Sequence, residues 1–145
     1  MQKAVERIEE LGCEGLLGRQ FATLSQGEQQ RILIARALMA SLDILILDEP
    51  CTGLDLLARE QLLAKIHQLT QEPNSPTLIY VTHHIEEILP GFTHTLLLKQ
   101  GKVYDAGATS EIVRTETLSE FFETPIEVHQ QGRRKWVMLH NKEFV

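Results

Sequence analysis

The stretch that most constrains this chain is Ile44-Leu45-Ile46-Leu47-Asp48-Glu49-Pro50, where four apolar residues run into two carboxylates and a proline. A short aliphatic run closed by a breaker predicts a strand buried on both faces, as in a parallel sheet. Proline has no N–H to add to a ladder, so the strand ends there. Asp48 and Glu49 then stand at the carboxyl end of a buried strand, where open α/β sheets bind their ligands. If the strand continues through them, their side chains point to opposite sides. Neighbouring acids in a cleft repel each other and lose hydration, so the pair makes sense where a cation or a reacting water offsets the charge.

The rest of the composition sets bounds. At 145 residues the chain is one domain or a piece of one. A hydrophobic content of 43% supports a real core, and 23% charged residues fit a soluble protein. A net charge of -6 argues against bulk electrostatic binding to nucleic acid. Cys13 and Cys51 make no disulfide framework and predict reduced thiols. There is no signal peptide and no apolar run of spanning length, so the chain is not expected to cross a membrane by itself.

In chain order, Val5, Ile8 and Leu11 predict a helix over residues 4–11, stopped by Gly12, and residues 13–23 read as loop. Ser25 followed by Glu28 is a capping-box pattern opening a helix to about Ala40, with Ile34 and Leu38 and the set Ile32, Ala35, Met39 on its apolar stripe. A helix N-terminus carrying a serine hydroxyl and a glycine, here Gly27, is also a potential anion site. Residues 51–55 form a turn whose Asp55 can cap the helix predicted over 56–69, which carries Leu62, Ile66 and Leu69 on one stripe with Leu63 beside it. A second buried strand is predicted over Thr77–Thr82, running into His83-His84, with a short helix over residues 85–89. Two strands flank Gln100-Gly101, two short helices follow over 108–114 and 116–122, and a terminal hairpin turns at Gln131-Gly132. Arg133-Arg134-Lys135 reads as a solvated turn.

Leu24-Ser25-Gln26-Gly27-Glu28, Asp48-Glu49-Pro50, Leu54-Asp55 and Thr82-His83 occur in this order at fitting spacing. Together they resemble the second half of an ATP-binding-cassette (ABC) transporter ATPase domain. The resemblance implies an α/β fold, an incomplete P-loop NTPase domain of ABC type with a mostly parallel sheet flanked by helices. It implies that 1–40 belongs to the helical subdomain, 41–115 to the ATPase core and 116–145 to a C-terminal extension.

The resemblance also implies roles. Residues 24–28 match the signature motif that reaches a nucleotide on a second ATPase domain, with Ser25 and Gly27 at the γ-phosphate. Gln26 and Glu28 stand where the best-known motif has glycine and glutamine, and are tolerable variants. Asp48 matches the acid that holds Mg²⁺ through water, and Glu49 the general base. Asp55 matches the dimer-interface aspartate, and His83 the switch histidine, with His84 the neighbouring alternative. ATP and Mg²⁺ are the implied cofactors. The implied partners are a second such domain and a transmembrane permease, on the inner face of the cell membrane, with no direct nucleic acid. Phosphoryl transfer needs a metal, an oriented water and donors around the γ-phosphate, and these residue types can supply part of that set.

The family's glycine-rich loop, G-x-x-x-x-G-K-[ST], does not occur in the sequence. The chain therefore reads as a C-terminal half, through a late start, a truncation or a partner that supplies the rest. Such a half is expected to hydrolyse ATP poorly alone and to expose apolar sheet edges, making a marginal monomer that associates. The alternatives are a soluble cassette ATPase acting on DNA or ribosomes, a non-catalytic cassette that only binds a partner, and a different phosphate-binding protein.

Overall fold

The computed structural model describes residues 2–40 and 42–140. The chain divides into two compact units, Met1–His83 and His84–Val145.

The first unit opens with α1 (Gln2–Glu10). Gly12 ends it in the left-handed region at φ 63°, donating to Glu9 O at 2.9 Å, while Cys13 N–H reaches Ile8 O at 2.8 Å. Glycine suits that terminus because it has no Cβ to clash. Two 3₁₀ turns, Glu14–Leu16 and Phe21–Thr23, occupy the expected loop. Then follow α2 (Gln26–Leu38), β1 (Ile44–Asp48), α3 (Leu56–Gln71) and β2 (Thr77–Val81). Helix α2 packs on both α1 and α3. It buries Gly27, Ile34, Ala35 and Leu38, whereas Met39, expected on the stripe, is more than a third exposed beyond the helix end. Helix α3 buries Leu62, Leu63, Ile66 and Leu69, as its spacing predicts.

Strands β1 and β2 pair in parallel, with Ile44 opposite Thr77 and Asp48 opposite Val81. Burial on both faces is not observed. Leu45 and Leu47 are buried, but Ile44 and Ile46 are 54% and 62% exposed. In β2, Ile79 and Val81 are exposed and Leu78 and Tyr80 are half-buried. Successive strand residues point to opposite sides, and the described residues cover only one side of this pair.

The second unit begins with a 3₁₀ turn at Ile85–Glu87. Strands β3 (His94–Lys99) and β4 (Lys102–Ala108) form an antiparallel hairpin with a register shift at Leu97/Leu98. Helices α4 (Thr109–Ile112) and α5 (Thr115–Phe122) follow, then a second antiparallel hairpin, β5 (Ile126–Gln131) and β6 (Arg134–Leu139). The α/β character is as expected, but the parallel part of the sheet among the described residues is the β1–β2 pair alone. The two-residue connections at Gln100-Gly101 and Gly132-Arg133 can join only antiparallel strands. The core of this unit is Leu97, Ile112, Val113 and Leu118, with Ile85, Ile88, Phe121, Val128 and Val137 packed against it. Arg134 and Lys135 are not solvated turn residues. Arg134 Nη2 donates to Glu86 O at 2.7 Å and Lys135 Nζ to Val113 O at 2.8 Å, so both are half-buried ties of the hairpin to its unit.

Candidate functional site

The site forms where β1 and β2 end, within the first unit. Strand β1 stops at Asp48, whose side chain is exposed. Glu49 does not continue the strand. Its φ is 44°, and its N–H closes the ladder on Val81 O at 2.9 Å. The expectation that Asp48 and Glu49 face opposite sides of a continuing strand therefore fails. The chain turns out of the sheet at Glu49, so strand alternation no longer sets its direction. A non-glycine residue in this region stores about 1–3 kcal/mol of strain, and such residues cluster at functional sites. Nor is the acid pair buried in a cleft: both residues are exposed, and water relieves their repulsion.

The turn aims Glu49 at two partners. His83 Nδ1 lies 2.9 Å from Glu49 Oε1, and Thr52 Oγ1 donates to Glu49 Oε2 at 3.1 Å. Pairing β1 with β2 brings His83 to Glu49 across 34 residues of sequence. His84 turns to Glu86 instead, with 3.5 Å between His84 Nδ1 and Glu86 Oε1. The adjacent histidines diverge, and His83 is the one at the carboxylate.

The N-terminus of α2 reaches the same turn. Ser25 Oγ accepts from Glu28 N–H at 3.3 Å and Glu28 Oε2 accepts from Ser25 N–H at 2.8 Å, a complete capping box. That backbone hydrogen bond holds the Glu28 carboxyl below the usual range, with further help from the Ser25 side chain and Arg19. The Ser25 hydroxyl oxygen accepts in this cap, while its side chain also favours the charged Glu28 carboxylate. Gln26 Nε2 donates to Thr52 O at 2.7 Å. A Cβ on Gly27 would lie 3.3 Å from Ala58 Cβ and 3.6 Å from Leu54 Cδ2, so glycine lets the first turns of α2 and α3 approach closely. Asp55 Oδ1 accepts from Ala58 N–H at 2.8 Å and caps α3.

Of the residues singled out in the sequence, Glu49 and His83 meet directly, and Gln26 joins them through Thr52. Ser25, Glu28 and Asp55 are engaged as helix caps. Thr52 was missed. Its signal was a hydroxyl three residues after Glu49 in a Gly-containing turn, a spacing at which side chains meet. Mg²⁺ takes oxygen donors in near-octahedral geometry. Asp48 offers the right donor type, but no group of three acid, histidine or cysteine side chains among the described residues could hold a metal. These residues fit a share in a magnesium site, not a complete one.

The carboxylate–imidazole pair thus lies at the tips of parallel strands beside a capped helix N-terminus, the end of an α/β sheet where ligands bind. Comparison with known proteins narrows this further. The family profile described as ABC transporter matches residues 1–52. The chain is 54% identical over 127 residues to the ABC transporter ATP-binding protein YlmA of Bacillus subtilis (strain 168), covering 88% of this chain and 48% of the relative. It is 41% identical over 141 residues to the ABC transporter ATP-binding protein YmeB of Lactococcus lactis subsp. lactis (strain IL1403), covering 97% of this chain and 54% of that one. A solved ABC transporter in an inward-facing conformation superposes with a TM-score of 0.86 at 28% identity, over 99% of this chain and 58% of the other. Over most of its length this chain is similar to ABC transporter ATP-binding proteins that are longer than it is, consistent with a partial ATP-binding domain of the ABC transporter type. It spans about half the length of the curated relatives it matches.

Proposed function

We propose that the chain is part of the ATP-hydrolysing subunit of an ABC transporter, with Glu49 as general base and His83 as the residue that answers to the γ-phosphate. The observation that carries the reading is the Glu49 carboxylate held at 2.9 Å from His83 Nδ1 at the strand tips. A base must be aimed before it can take a proton, and this pair is aimed by two different strands' ends. Residues 1–40 are assigned to the helical subdomain, 41–115 to the ATPase core and 116–145 to a C-terminal extension. In this reading Ser25, Gln26, Gly27 and Glu28 form the signature edge that meets a nucleotide held mainly by a second ATPase domain, with Asp55 at the boundary between the two. Asp48 would hold Mg²⁺ through water, and the ion would neutralise phosphate charge. The chain's own work is to orient a water proton toward Glu49 and to keep the His83 ring in place.

ATP hydrolysis would drive a permease, with the chain on the inner face of the cell membrane. Among the described residues no helix is long and apolar enough to cross a membrane. The test is Mg²⁺-dependent ATP turnover of the assembled transporter. Glu49→Gln is expected to lower kcat about 10²–10⁴-fold, the range typical of a lost general base. Turnover equal to wild type in Glu49→Gln would overturn the assignment.

A further inference from the structure

We propose that Thr52 is a positioning residue for Glu49, and that Gln26 holds Thr52 in place, so that the signature turn is coupled to the carboxylate within one chain. The proposal rests on the ATPase reading for its chemical meaning and on geometry for its structural content. Thr52 grips Glu49 twice. Its hydroxyl donates to Glu49 Oε2 at 3.1 Å and its N–H to Glu49 O at 3.1 Å. The first contact, with His83 on Oε1, gives each carboxylate oxygen its own partner. The terminal torsion of a glutamate is broad and soft, so contacts on both oxygens are what define the plane of the group. Threonine is suited to the task because branching at Cβ stiffens χ1 and so aims the hydroxyl.

Thr52 is held in turn from α2. Gln26 Nε2 donates to Thr52 O at 2.7 Å. Gly53 follows at φ 77°, and a Cβ there would lie 2.7 Å from both Nε2 and Oε1 of Gln26. The Gln26 amide therefore occupies space that any other residue at 53 would need. Side chain 26, backbone 52 and the missing Cβ of 53 form one fitted contact, and a shift of the signature turn is passed through Thr52 to Glu49.

The test uses NMR of the 145-residue chain with ¹⁵N-labelled histidine and glutamine, at one pH near neutrality. Glu49→Gln sets the full displacement of the His83 ring signals. Thr52→Val, which keeps shape and removes the hydroxyl, is expected to move them in the same direction by at least half as much. Thr52→Ser is expected to move them by less than a quarter. Gln26→Ala is expected to move them in the same direction, while the Gln26 side-chain amide stays protected from exchange in Thr52→Val because it bonds the backbone. Amide signals of Gln61, His67 and Gln68 on α3 report that the first unit of each variant is folded, and Thr52→Ala replaces Thr52→Val should the latter unfold. His83 signals unmoved in Thr52→Val, or unmoved in Glu49→Gln itself, overturn the proposal. In the ATP-hydrolysing assembly, Thr52→Val should lower kcat about 10–100-fold at unchanged KM for ATP, the size expected of a misplaced group, and Thr52→Ser should restore it to within about threefold. A kcat equal to wild type in Thr52→Val also overturns it. A wild-type assembly without turnover fails the ATPase reading alone, and the NMR comparison then decides the positioning.

Discussion

Glu28 is a residue whose two contacts define a measurable property. Its carboxylate closes the capping box of α2 on Ser25 N–H and meets Arg19 Nη1 at 3.4 Å. The backbone hydrogen bond favours the charged form and lowers its pKa below the ordinary value of 4.5. A carboxyl with a lower pKa in the folded state than in the unfolded state adds stability that is fully present above the unfolded value. That stability is lost as pH falls through the folded value. The urea midpoint of the wild-type chain should therefore fall between neutral pH and about pH 3, and the fall should be smaller in Glu28→Gln. Glutamine can accept the same backbone hydrogen bond but does not titrate in this range. Equal pH dependence in both proteins would refute this account of the cap. At the same scale, the chemistry of Glu49 was legible because two acids followed an aliphatic run. Its left-handed backbone was not, since position 49 carries a glutamate and not the glycine or asparagine that ordinarily signals that conformation.

Helix α3 is the element whose sequence and structure agree most closely. Leu62, Leu63 and Ile66 are fully buried, and Asp55 caps the helix start. Leu62→Ala should cost about 2–5 kcal/mol, the lost transfer energy plus the cavity left behind. Leu57→Ala, at a position 68% exposed on the same helix, should change stability by less than about 0.5 kcal/mol. Urea denaturation of the two variants checks the contrast, and similar losses in both would mean that the apolar stripe is not what anchors α3. The strands were legible as strands, because aliphatic runs bounded by breakers are local signals. Their two-sided burial was not, because a strand does not encode what lies above it. Ile46 and Leu45 are equally apolar, yet one is 62% exposed and the other 7%.

For the whole molecule, that difference has a physical outcome. Ile44, Ile46, Ile79 and Val81 are exposed along the β1–β2 pair, and in that register Ile46 lies opposite Ile79. Contiguous exposed apolar surface favours association. Sedimentation velocity of the chain should show association that grows with concentration, and Ile46→Thr with Ile79→Thr should reduce it while leaving the fold intact. A strictly monomeric wild-type chain at all concentrations would refute the prediction.

The sequence by itself determined the features that depend on neighbours along the chain: the capping box of Ser25 and Glu28, the cap at Asp55, the stop at Gly12, the helix stripe of α3 and the order of motifs that marks the family. Each is made by residues a few positions apart, where backbone geometry dictates who meets whom. Only the tertiary structure decided the rest. It brought His83 rather than His84 to Glu49, joined Gln26 to Thr52 across 26 residues, and tied Arg134 to Glu86 O across 48. Those contacts depend on the path the chain takes between the partners, and no local spacing specifies that path.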